Sequence, residues 1–154
     1  MKILVLSDSH GKEEYLYTTV YEHLDSDVII HLGDGERDMD VLRDLPAVQR
    51  KRIIQVAGNC DYASQLPTTT FETIGGYQFY ITHGHMQHVK MGYDLIRLDA
   101  KKQNRQVVLF GHTHQPYFSE ENGIYLFNPG SLYRGEYGII SVVDTEITFQ
   151  HQSL

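Results

Sequence analysis

Five short segments hold most of the side chains able to bind a metal ion or move a proton. They are Asp8-Ser9-His10, Gly33-Asp34, Gly58-Asn59-Cys60-Asp61, His83-Gly84-His85 and Gly111-His112-Thr113-His114. Carboxylate, imidazole and amide donors together suit divalent transition ions. Imidazole admits Zn²⁺, Fe²⁺, Ni²⁺ and Co²⁺, while the oxygen donors keep Mn²⁺ competitive. Asp8 and His10 lie two positions apart, as do His112 and His114, so extended backbone would turn both members of each pair to one side. Each segment alone is a weak signal, but the ordered set of five is strong. Were two divalent ions held there, Asp8 and Asp34 would cancel two of four positive charges and a bridging hydroxide about one more. Roughly one positive charge would remain to attract a phosphate ester.

Such a site needs elements that bring distant segments together. Each segment follows a short apolar run: Ile3–Leu6, Val28–Ile30, Ile53–Ala57, Phe79–Ile81 and Val107–Phe110. Continuous runs of this length suit strands covered on both faces. The spacing between them predicts helices over Lys12–Leu24, Arg37–Leu45 and His88–Lys102. Where strands alternate with helices, ligands gather outside the carboxyl ends of the strands, so the five segments should share one cleft. After residue 110 the pattern turns β-rich. Tyr117–Ser119 and Ile124–Phe127 flank Glu120-Glu121-Asn122-Gly123, where Asn-Gly signals a tight hairpin. Tyr137–Val143 and Ile147–Gln150 read as two further strands. Two packed sheets with helices outside, in one α/β domain over residues 1–154, is the expected architecture.

Composition limits the function. The chain has 154 residues, 41% apolar and 21% charged, with 13 Lys and Arg against 20 Asp and Glu, a formal charge of −7. That field opposes long nucleic acid. One cysteine allows no internal disulfide, and no apolar run reaches the roughly 18 residues of a membrane span. The opening Met1–Asp8 is too short and too soon interrupted for a secretory leader, so the expected location is the cytoplasm.

The order Asp-x-His, Gly-Asp-x-x-Arg, Gly-Asn-x-Asp, His-Gly-His, Gly-His-x-His resembles the calcineurin-like metallophosphoesterase superfamily. Gly58-Asn59-Cys60-Asp61 and Asn128-Pro129-Gly130-Ser131 are similar to its small prokaryotic phosphodiesterase branch, which the retromer subunit of eukaryotes also resembles. The resemblance implies a four-layer α/β/β/α sandwich of two mixed sheets flanked by helices. It implies one metal held by Asp8, His10, Asp34 and His114 and another by Asp34, Asn59, His83 and His112, with Asp34 bridging. It further implies two divalent ions, with Mn²⁺ favoured, and a small phosphodiester attacked by a metal-bridging hydroxide. Asn59 and Asp61 then enter the catalytic set. Many relatives carry His where this chain has Cys60, a weak substitute as a donor to the leaving group. His85 is the candidate to replace it.

Other residues read less sharply. Asp61 could orient a ligand or cap the next segment. Cys60 fits a small packed residue better than a nucleophile or ligand. Arg37 and Arg134 could each grip phosphate or stand solvated. His31 reads as a hydrogen-bonded interior side chain, and His23, His88 and His151 as surface residues. Arg50-Lys51-Arg52 reads as a solvated edge. Tyr15, Tyr17 and Tyr21 divide between core and surface. A protein-binding scaffold, a phosphomonoesterase or a nuclease are the competing functions, and a capless chain this small could use a second copy to wall its cleft.

Overall fold

The computed structural model describes residues 1–154. Strands β1 (Lys2–Leu6), β2 (Val28–His31) and β3 (Arg52–Gln55) run parallel in one sheet. β9 (Glu136–Val143) pairs antiparallel with β1, and β10 (Glu146–Ser153) with β9, giving the order β10-β9-β1-β2-β3. The second sheet has the order β4-β5-β6-β8-β7, from β4 (Thr69–Ile74), β5 (Tyr77–Thr82), β6 (Val107–Leu109), β7 (Tyr117–Glu121) and β8 (Ile124–Asn128). β5, β6 and β8 run parallel, with antiparallel strands at both edges.

The two-residue period of a strand sorts side chains between layers. Ile3 and Val5 of β1 join Phe79, Ile81, Val107, Leu109 and Phe127 in the core between the sheets. Leu4 and Leu6 face the other way, under Leu16 and Val20 of α1 (Glu13–Glu22) and Met39 and Leu42 of α2 (Glu36–Arg43). Val108 of β6 packs with Ile96 and Ala100 of α3 (Asp94–Lys102) on the outer face of the second sheet. Four layers result, α/β/β/α. Tyr15 and Tyr17 pack against the α1–α2 core, and Tyr21 is exposed.

Three expectations need correction. The helix expected over His88–Lys102 begins only at Asp94. His88 and Gly92 take φ of 53° and 136°, which leaves a single 3₁₀ turn at Val89–Met91 before it. β4 was not expected at all, because Thr69–Ile74 is an edge strand with only Ile74 buried and no continuous apolar run. Its signal was Gly75-Gly76, whose φ of 59° and 86° close a two-residue hairpin into β5. Arg50-Lys51-Arg52 is not simply a solvated edge: Lys51 Nζ donates to the Leu24 and Ser26 carbonyls, and Arg52 pairs with Glu72 at 2.9 Å. No helix is long and apolar enough to cross a membrane.

Candidate metal centre

The five segments leave the carboxyl ends of β1, β2, β3, β5 and β6 and meet between the sheets. Their backbone is unusual. Asp8, His10, Asp34, His112 and His114 have φ of 54°, 45°, 58°, 67° and 58°, in the left-handed region. The extended conformation expected for Asp8/His10 and His112/His114 is therefore wrong. Each such residue costs on the order of 1 kcal/mol or more, and the cost persists only where the surroundings enforce it. Glycines at the crossing allow that enforcement. A Cβ on Gly58 would lie 2.0 Å from Asp34 Oδ1, and one on Gly33 would lie 2.6 Å from the Gly58 nitrogen.

The side chains converge. Asp8 Oδ1 lies 3.0 Å from His114 Nε2 and 3.7 Å from His10 Nε2, and the two Nε2 atoms are 3.2 Å apart. Asp34 Oδ2 reaches both halves of the site, 3.7 Å from His10 Nε2 and 3.4 Å from His83 Nε2. Asn59 Oδ1 lies 3.1 Å from His83 Nε2. The His112 ring stands farther off, its centroid 5.0 Å from that of His83 and 6.1 Å from that of His85.

Hydrogen bonds fix which atoms face the cleft. His83 Nδ1–H donates to the Leu32 carbonyl at 2.7 Å, which turns the Nε2 lone pair inward. Asp8 Oδ2 accepts from the Ser7 hydroxyl at 2.5 Å and from His112 N–H at 3.1 Å. Asp8 Oδ1 is fully buried and has no hydrogen-bond partner. An orphaned carboxylate oxygen costs free energy unless something pairs with it, and a cation at the imidazole Nε2 atoms would do so. The donor set fits a divalent ion.

The electrostatics agree. Burial alone would raise both carboxyls. The nearby imidazoles of His10, His114 and His83, with the Ser7 hydroxyl, instead hold Asp8 far below the usual carboxylate range. His83 and the Cys60 N–H bring Asp34 down to about 2. Both are anions at any working pH. The neighbouring Asp8 carboxylate raises His10, and against its burial the two carboxylates raise His83. Burial and the neighbouring His83 lower His85, and they hold His112 near 4.

Of the remaining candidates, Asp61 takes the capping alternative. Its carboxylate accepts from the N–H groups of Asp34, Gly35, Glu36 and Gly58 at 2.7–3.0 Å. It thereby closes the N-terminus of α2 and ties the Asp34 loop to the Asn59 loop. Cys60 is exposed on the cleft and is not packed as expected. Its thiol lies within 4.8 Å of ligand atoms of His10 and Asp34, and burial and Asp34 push its pKa up. His85 is half-buried, with Nδ1 unpartnered. Arg37 lines a cavity beside the site, and exposed Arg134 donates to the His114 carbonyl at 3.2 Å.

Sequence reasoning missed several supports. Ser7 fixes the Asp8 rotamer. Ser9 donates to Asp38 at 2.5 Å and contacts His31 at 3.2 Å, so His31 is the interior bonded residue expected. Asn128 donates to the Gly111 carbonyl and Thr113, and Ser131 to the Asp8 carbonyl, each at 3.0 Å. Hydroxyl and amide residues beside ligand segments were the available signal. His23 and His151 are not free surface side chains, since His23 meets Lys2 and Tyr137 and His151 donates to the Asn128 carbonyl at 2.8 Å.

A family model described as the calcineurin-like phosphoesterase superfamily domain matches residues 1–147. A Bacillus subtilis protein named a probable metallophosphoesterase is 32% identical over 133 residues, covering 86% of this chain and 75% of its own. A phosphodiesterase of Methanocaldococcus jannaschii is 28% identical over 95% of this chain and 94% of its own. Vps29 of Entamoeba histolytica, solved with Zn²⁺, superposes with a TM-score of 0.75 over 99% of both chains at 20% identity.

Proposed function

The chain belongs to the calcineurin-like phosphoesterase superfamily, and from that we propose that it is a metal-dependent phosphoric ester hydrolase acting on small phosphodiesters at a two-ion centre. One ion would be held by Asp8, His10, Asp34 and His114, the other by Asp34, Asn59, His83 and His112. The observation that carries this reading is Asp8 Oδ1, buried and unpartnered where the imidazole Nε2 atoms converge. The position of Asp34 Oδ2, near both His10 and His83, supports its role as the shared ligand.

Divalent ions bound there supply charge neutralisation for the phosphoryl group and a water acidified toward neutral pH. The chain's own groups do the rest. Asp8 and Asp34 stay ionised and would hold the cations together with four imidazoles and the Asn59 amide. Arg37 and Arg134 stand at the edge of the site to meet phosphate oxygens. His85 stays neutral at pH 7 because its basicity is lowered, and in that state its ring N–H can donate to the leaving oxygen. With a thiol at Cys60 in place of a second imidazole, aryl esters should be cleaved far better than alkyl esters. Mn²⁺ is the ion we assign, since two carboxylates and an amide oxygen accompany the imidazoles.

A colorimetric diester assay tests this. Chelator should abolish turnover, and Mn²⁺ should restore it. Asp34→Asn preserves shape and should reduce kcat/KM at least about 100-fold, since losing even an outer-shell partner costs 10–100-fold. No rate with Mn²⁺, Ni²⁺, Co²⁺ or Zn²⁺ would overturn the hydrolase reading in favour of a binding scaffold. A monoester rate exceeding the diester rate would overturn the diester assignment.

A further inference from the structure

A cavity of about 540 Å³ opens directly from the metal-ligand cluster, with His10, Asp34 and Cys60 at its inner end. Its size falls within the roughly 300–1,000 Å³ of small-molecule sites. The outer wall holds Tyr62, which is 85% exposed, although a large aromatic side chain is normally kept largely from water. The backbone that presents it is held out of its relaxed form, for Ala63, the next residue, has a φ of 56°. Alanine gains nothing locally from that conformation. Arg37 lines the same cavity, as do Glu36 and Asp40.

We propose that Tyr62 is a stacking platform for one arm of the substrate, and that the substrates are phosphodiesters in which that arm is a nucleoside. The inference rests on the hydrolase reading and adds the substrate class. A phosphate at the inner end places its ester arm along the cavity toward Tyr62. Every nucleobase offers a flat face to an aromatic ring, and such stacking tolerates any base. Glu36 and Asp40 offer acceptors to sugar hydroxyl and base amino groups, which are donors. The same carboxylates disfavour an arm with further phosphates, so a single phosphodiester is selected over a polyphosphate. A plain alkyl arm would leave Tyr62 uncovered.

The test compares two p-nitrophenyl phosphodiesters, one of adenosine 5′-phosphate and one of methyl phosphate. They share a leaving group and differ only in the other arm. Expected is a kcat/KM about tenfold or more higher for the adenosine ester, within the range base–aromatic stacking provides. That ratio should collapse toward unity in Tyr62→Ala and survive in Tyr62→Phe. Equal rates on the two esters in the unmodified protein, or a ratio that Tyr62→Ala leaves intact, would overturn the proposal. Adenosine itself, titrated into the metal-free protein and followed by NMR, gives a readout independent of turnover. Shifts centred on residues 60–64 and lost in Tyr62→Ala support the platform even if neither ester is hydrolysed, in which case the hydrolase reading alone falls. No shifts there would overturn the platform.

Discussion

At the scale of single residues, the site is a set of costly choices that make sense together. Five ligand candidates sit in the left-handed region, and one buried carboxylate oxygen has no partner. Residue types and order are legible in the sequence, because Asp, His and Asn beside Gly are distinctive. Their backbone conformation is not, since it is imposed by loops 20 or more residues away. Spacing alone therefore misleads at Asp8/His10 and His112/His114. His31 gives a separable prediction. Burial holds its folded pKa near 4 against an ordinary value of 6.5. The unfolded chain thus binds the extra proton between those values, and stability should fall as pH drops from about 6.5, levelling off near 4. The loss attributable to His31 is roughly 3 kcal/mol. About 2 kcal/mol of that loss falls between pH 8 and pH 5, so by denaturant unfolding of the metal-free protein the change in stability over that interval should be smaller by about that amount in His31→Gln. Equal pH sensitivity in the two proteins would contradict the assignment.

At the scale of elements, strands carry the ligands and glycines let them meet. The fully covered strands β1, β2, β5 and β6 announce themselves as apolar runs, and their carboxyl ends locate the cleft. β4 does not, because an edge strand alternates weakly and only its Gly-Gly turn betrays it. Capping by Asp61 is equally hidden: a carboxylate three residues after Gly58 could serve either role until α2 is seen to begin beside it. Close approach of the β2 and β3 loops should be the most easily broken contact. Gly58→Ala places a methyl group against Asp34 and the backbone of its loop. Overpacking of this kind costs about 1–3 kcal/mol. A melting temperature lower by roughly 5 °C and a weaker Mn²⁺ affinity are expected, by calorimetry. An unchanged affinity would show that the two loops do not position Asp34.

At the scale of the whole molecule, two sheets bring side chains separated by more than a hundred residues to one point, as the 104-residue separation of His10 and His114 illustrates. The net charge of −7 surrounds that point with a repulsive field for polyanions. Turnover of a small diester should therefore exceed that of an oligonucleotide at low salt, and added salt should narrow the gap by screening the repulsion. Oligonucleotide rates that fall with salt would instead reveal a basic binding surface. In the proposed site, seven side chains would enclose a pair of cations with Asp34 between them. Anomalous diffraction at the manganese edge from a Mn²⁺-soaked crystal tests it most directly. Two peaks roughly 3.5–4 Å apart, both within bonding distance of Asp34, are expected. A single peak remote from Asp34, or none, would contradict it.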